Sequence, residues 1–140
     1  MPRPEPPRSP SPGGPRDVGG KLRRRDQRWA SHAYDVVGQI AGREAQNNYK
    51  IMIHQLGADI LRNGLSVALA TLERQKSGRG GLLLDHLARA GVTGLAGATQ
   101  TDFAGRVRRL DVDAYMLATR ELLELVAWLK RAAQAMFEDI

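Results

Sequence analysis

Cysteine is absent from the 140-residue chain. This excludes disulfides, thiolate-bound zinc, iron–sulfur clusters and a cysteine nucleophile, and it fits a reducing compartment, so a cytoplasmic location is expected. Long apolar runs are missing too. Nothing approaches the ~18–20 residues that a membrane-spanning helix needs, and the N-terminus carries Pro and Arg where a signal peptide would be apolar, so no membrane partner is expected. All seven prolines fall in the first fifteen residues, which leaves only glycine and capping residues to break a helix downstream. The alternation of β-branched and polar residues that marks strands is lacking, and no repeat of about 20–50 residues is visible. These absences leave a helical chain of a length that suits one core.

What is present is mostly charge and helical periodicity. Lys and Arg number 21 against 15 Asp and Glu, a formal charge of +6. Arg3, Arg8, Arg16, Lys21, Arg23, Arg24 and Arg25 crowd into residues 1–25 against only Glu5 and Asp17. The remainder is nearly neutral, so polyanion binding there must rest on how its bases are arranged in space. Residues 1–25, rich in Pro, Gly and Arg, read as a disordered tail whose Pro-rich spelling also suits a polyproline-II ligand. Residues 26–140 read as a single all-α domain, a compact bundle of about five to six helices ending in a long one.

Trp29, Ala33, Val36, Val37, Ile40 and Ala41 recur at helical spacing and predict a helix over 26–46. Tyr49, Ile53, Leu56, Ile60 and Leu61 mark a second helix, ended by Asn63-Gly64, and Leu65, Ala68, Leu69 and Leu72 mark a third. Residues 76–81 read as a loop, followed by a short helix holding Leu82, Leu83, Leu84 and Leu87. Residues 91–101 read as a connection, Thr101-Asp102 as the cap of a short helix ending near Leu110, and Asp111 as the cap of the last helix, 112–137. In that helix Tyr115, Ala118, Leu122, Leu125, Leu129, Ala132 and Met136 form an apolar stripe. Asp113, Arg120, Glu124, Arg131 and Glu138 fall within about 40° of one another on the opposite side.

Catalytic patterns are weak. Gly78-Arg79-Gly80-Gly81 has neither the Gly-Lys-Ser/Thr ending nor the preceding strand of a phosphate loop, and reads as a connector. His32 with Asp35, and the adjacent Asp85-His86, have no known metal-ligand spacing, and neighbouring helical residues point about 100° apart. Ser66 lies outside a nucleophile-elbow pattern. No catalytic residue, metal or cofactor is expected, and the chain does not read as an enzyme. Trp29, Tyr34, Tyr49, Tyr115 and Trp128 have the chemistry to stack on bases, but their periodic placement assigns them to the core. Arg62, Arg74, Lys76, Arg79, Arg120, Lys130 and Arg131 lie outside the apolar stripes and are available for phosphate. Arg120 with Glu124 also reads as an i, i+4 pair, worth only ~0.2–0.5 kcal/mol.

Two stretches are more specific. Residues 49–76 contain Leu61-Arg62-Asn63-Gly64-Leu65-Ser66-Val67-Ala68-Leu69-Ala70, and residues 115–135 contain Ala118-Thr119-Arg120-Glu121-Leu122 and Trp128-Leu129-Lys130-Arg131. In this order they resemble the small subunit of the type III-B CRISPR RNA-silencing effector, the Cmr complex. The opening Trp29-Ala30 and Ala33-Tyr34 are similar to that family's first helix. Gly57, where the family often carries proline, Ala132, where an aromatic often follows Lys-Arg, and the basic leader 1–25 depart from the pattern.

The resemblance implies a noncatalytic subunit serving antiviral defence. It would stack head to tail in several copies beside the filament of guide-RNA-binding subunits, contact the other type III-B effector subunits, and line the path of target RNA and its duplex with the guide. It implies Arg62, Lys76, Arg120, Lys130 and Arg131 as backbone-phosphate contacts. Such binding is salt-sensitive and independent of sequence, with base pairing to the guide supplying sequence choice. The alternative reading is a stand-alone helical nucleic-acid-binding regulator that works through its basic N-terminal tail.

Overall fold

The computed structural model describes residues 15–75 and 79–137, with side chains from Arg24 onward apart from that of Arg79. Six helices follow in order: α1 Pro15–Ile40, α2 Gln46–Asn63, α3 Leu65–Glu73, α4 Arg79–Ala88, α5 Phe103–Arg108 and α6 Val112–Met136. No strand occurs among the described residues. The expected all-α bundle with a long C-terminal helix is what the chain forms, while residues 1–14 of the expected tail lie outside the described residues.

Helix α6 is the spine. Ala118, Leu122, Leu125, Val126, Leu129, Ala132 and Ala133 are buried along it, and it packs against both α1 and α2. Arg25 reaches Glu121 and Gly38 meets Met136, so α1 and α6 run parallel. Gly57 sits against Val126 and Lys130, and Gly64 against Tyr115, so α2 runs antiparallel to α6. Helix α3 then packs on α2, α4 and α5. Trp29, Tyr49, Leu69, Leu83, Phe103 and Leu129 are all fully buried, and residues of all six helices enter one apolar cluster. Burial of each large apolar side chain is worth about 1.5–3 kcal/mol against the entropy of ordering it.

Local chemistry sets the boundaries. Asp111 caps α6 as expected, its Oδ1 accepting from the Ala114 N–H at 2.8 Å, which satisfies one of the donors orphaned at a helix start. Gly64 takes φ +90° between α2 and α3, a conformation glycine adopts without a Cβ penalty. The Ser66 N–H at the start of α3 donates to the Tyr115 hydroxyl at 2.9 Å, fastening the first turn of α6 to the α2–α3 corner.

Several boundaries differ from expectation. Helix α1 starts at Pro15, not residue 26, and ends at Ile40, not 46. No proline follows Pro15, and proline itself suits a first helical position. The helix stops where Gly42, at φ +77°, turns the chain and donates its N–H to Gln46 Oε1 at 2.6 Å. Helix α4 starts at Arg79, so Gly80 and Gly81 are helical and not loop. They serve close packing: a Cβ on Gly80 would strike the Leu72 carbonyl, and one on Gly81 the Gln100 side chain. Asp102 does not cap α5; its Oδ1 accepts from the Thr99 N–H at 2.6 Å. Leu61 is 76% exposed and Tyr34 39% exposed, because each lies at the outer margin of its helix's buried stripe.

The residue that the periodic reading overlooked is Glu121, 1% exposed in the middle of α6. Its Oε1 accepts from the Thr93 N–H and its Oε2 from the Thr93 hydroxyl, each at 2.9 Å. Arg25 Nη1 lies 3.5 Å from Oε2. One carboxylate thus ties the α4–α5 connection and the N-terminal half of α1 to the spine. Charge-assisted hydrogen bonds of this kind contribute about 1.5–3 kcal/mol, so Glu121→Ala should lower unfolding free energy by about that amount in urea titrations followed by circular dichroism. Glu121→Gln, which keeps an acceptor for Thr93, should lose less.

Candidate nucleic-acid interface

The bases of α6 are sorted by helical rotation. Arg120 and Arg131 are both exposed. Eleven residues apart, they sit about 20° from one another around the axis and ~16 Å apart along it. Glu124 is exposed on the same face, yet among the described residues Arg120 pairs with neither Glu124 nor Glu121, so the expected i, i+4 pair does not form. Lys130 is rotated about 100° from Arg131 and half-buried. Its Nζ comes within 3.1 Å of where a side chain on Gly57 would begin, so its stem lies over α2. Arg62 is exposed in the last turn of α2, beside the Gly64–Tyr115 contact and therefore at the far end of α6 from Lys130. Lys76 lies outside the described residues. The structure thus brings Arg120, Lys130 and Arg131 onto one helix and leaves Arg62 at another corner.

Trp128 was assigned to the core, but it is only half-buried. It packs against the apolar cluster while the Arg131 guanidinium sits 4.8 Å from its ring centroid, a cation–π arrangement. Arg25, assigned to the tail, stands 5.7 Å from the Trp29 ring centroid as well as beside Glu121. Arg25, Asp26, Glu124, Ala127, Trp128 and Arg131 line a groove of about 390 Å³ between α1 and α6. The i, i+3 spacing of Trp128 and Arg131 was the one sequence signal for this contact. Helix α5 adds two arginines, both engaged internally: Arg106 holds Asp102 at 3.3 Å and the Ala96 carbonyl at 3.1 Å, and Arg108 pairs with Glu73 at 3.3 Å. The backbone bond from Thr99 and the Arg106 charge hold the Asp102 carboxyl below its ordinary range.

The histidine and aspartate pairs considered for chemistry are tied into the scaffold. His32 Nε2–H donates to the His86 carbonyl at 2.7 Å. His86 is 1% exposed, with Nδ1 2.6 Å from the Tyr49 hydroxyl and the two rings edge to face. Asp85 pairs with Arg89 at 3.0 Å. Among the described residues no group of three His, Asp or Glu is placed to hold a metal, and no helix is long and apolar enough to cross a membrane.

Burial, then the Arg89 charge, pushes His86 down from 6.5 to about 4, and burial holds the Tyr49 hydroxyl well above its ordinary range. The folded protein therefore favours neutral His86. As pH falls from about 6.5 to about 4, the unfolded chain takes up a proton that the folded one refuses, so stability declines through that window and this contribution levels off below it. Urea midpoints measured across that range should show the decline, with a shallower slope in His86→Asn.

Taken together, the fold and this surface define a small all-helical protein with exposed cations on several helices, among them Arg120 and Arg131 on one face of α6. Residues 25–136 match the family described as CRISPR-associated protein (Cas_Cmr5). The chain is 31% identical over 118 residues to the CRISPR system Cmr subunit Cmr5 of Thermus thermophilus, covering 84% of this chain and all of that protein. The crystal structure of a CRISPR-associated Cmr5 family protein from the same organism superposes with a TM-score of 0.72 at 32% identity, over 81% of this chain and 98% of that one. The chain belongs to the Cmr5 family.

Proposed function

We propose that the chain is the noncatalytic small subunit of a type III-B CRISPR effector, the Cmr ribonucleoprotein, acting in the cytoplasm. Copies stack head to tail beside the guide-RNA-binding filament, and basic side chains line the path of the target RNA. The observation that carries this reading is the match to a Cmr subunit over that protein's whole length, at a TM-score of 0.72 for the Cmr5 family structure. Two surface features support it. Arg120 and Arg131 share one exposed face of α6 with Glu124, which supplies cations without the strong net charge that would repel a neighbouring copy. A head-to-tail stack needs two different patches, and the spine has an exposed Val112 and Met116 at one end and an exposed Met136 at the other.

In this reading Arg62, Arg120, Lys130, Arg131 and Lys76 neutralise strand phosphates and release counterions, while other subunits cut the RNA. Replacing Lys130→Glu with Arg131→Glu should weaken binding of single-stranded RNA while leaving helicity intact. Loss of two phosphate contacts should reduce the slope of log affinity against log salt by about 1.4. Removal of residues 1–14, which ends before α1 begins, should leave co-elution with guide-loaded effector subunits unchanged. Loss of all RNA association on that truncation would favour a regulator acting through its tail.

A further inference from the structure

We infer that the groove between α1 and α6 seats one unstacked nucleotide of a single-stranded RNA, with its base against the Arg131–Trp128 pair. The inference rests on the reading that this chain meets RNA and specifies how one contact is made.

The groove, about 390 Å³, falls within the ~300–1,000 Å³ typical of small-ligand clefts. Its chemistry is mixed in a way that a bare phosphate run does not need: Arg25 and Arg131 face Asp26 and Glu124 around Trp128. Two guanidiniums suit a phosphate. Two carboxylates accept hydrogen bonds from a ribose hydroxyl or from a base that carries donors, and would repel the backbone if phosphates alone were presented. Trp128 and the guanidinium 4.8 Å from its ring centroid give the groove a flat polarizable wall of the kind on which unstacked bases rest. The Arg131 side chain is exposed, so a base can reach it from solvent.

Arg25 is held in place on the other wall by buried Glu121 at 3.5 Å, with 32% of its side chain still exposed. That clamp fixes the groove's width before any ligand enters, which lowers the ordering cost of binding. The larger hollow at the α1–α2 turn, about 620 Å³, has no aromatic in its wall and makes no comparable platform. A base in a duplex is stacked between its neighbours, so the ligand class is a single strand with one base turned out.

The test uses the full chain with a short oligouridylate and the same strand carrying abasic sites, reading affinity by fluorescence anisotropy and tryptophan emission together. Trp29 is fully buried, but Arg25 of the groove wall lies 5.7 Å from its ring centroid, so the emission change is assigned to Trp128 by its loss in Trp128→Phe. The expected result is quenching by the uridine strand but not by the abasic strand, with the abasic strand binding about tenfold more weakly. Arg131→Lys, which keeps the charge and removes the flat surface, should cost more affinity for the uridine strand than for the abasic one. Equal, salt-sensitive affinity for both strands with unchanged emission would overturn the nucleotide seat and leave RNA binding standing. Absence of salt-sensitive binding to either strand would overturn both.

Discussion

Burial of α6 against two partners at once is the constraint on which the rest depends. A helix that packs on α1 and α2 together has its rotation about its own axis fixed, because turning it by one residue would carry Leu122, Leu125 and Leu129 out of the core and charged groups into it. Every outward chemical property of α6 follows from that lock. Arg120 and Arg131 are set into solvent, Lys130 is laid along α2, and Glu121 is driven inward where only a complete set of partners makes its burial tolerable. Thr93 and Arg25 supply that set.

The same close approach acts at Gly57 and Ala132. Gly57 is buried where α2 crosses α6, with Val126 and Lys130 against it. A helix carrying glycine here, with no proline, keeps its backbone hydrogen bonds and lets the Lys130 stem lie flat across it. Ala132 is fully buried, and a bulky ring at that position would have to displace neighbours already in contact.

The apolar stripes of α1, α2, α3 and α6 were legible because burial in an amphipathic helix leaves a 3.6-residue signature, and so were the Asp111 cap and the Gly64 turn, which rest on local chemistry. What escaped was decided by tertiary contact. The helical Gly80-Gly81 runs against composition, since glycine is costly in a helix unless neighbouring atoms leave no room for a Cβ, as the Leu72 carbonyl and the Gln100 side chain do here. Glu121 lies about 40° from Leu125 on the helical wheel, inside the buried arc, yet its carboxylate argued for the surface until Thr93, distant in sequence, came to meet it. Of the proposed contact residues, the exposure of Arg62, Arg120 and Arg131 followed from their places off the stripes. The pairing of Arg131 with Trp128 and the recruitment of Arg25 needed the α1–α6 crossing to be seen.

Because α1 and α6 lie parallel and side by side, the chain must travel through four intervening helices before its first and last helices can meet. The spine is also the last of the six helices to be synthesised. A nascent chain leaving the ribosome therefore carries the α6-facing sides of α1 and α2 uncovered until α6 emerges, and cooperative folding waits on that helix. A chain stopped before α6 would not yield a smaller working domain but a sticky fragment, a natural client for chaperones and proteases, so only molecules that carry the spine would survive to be assembled.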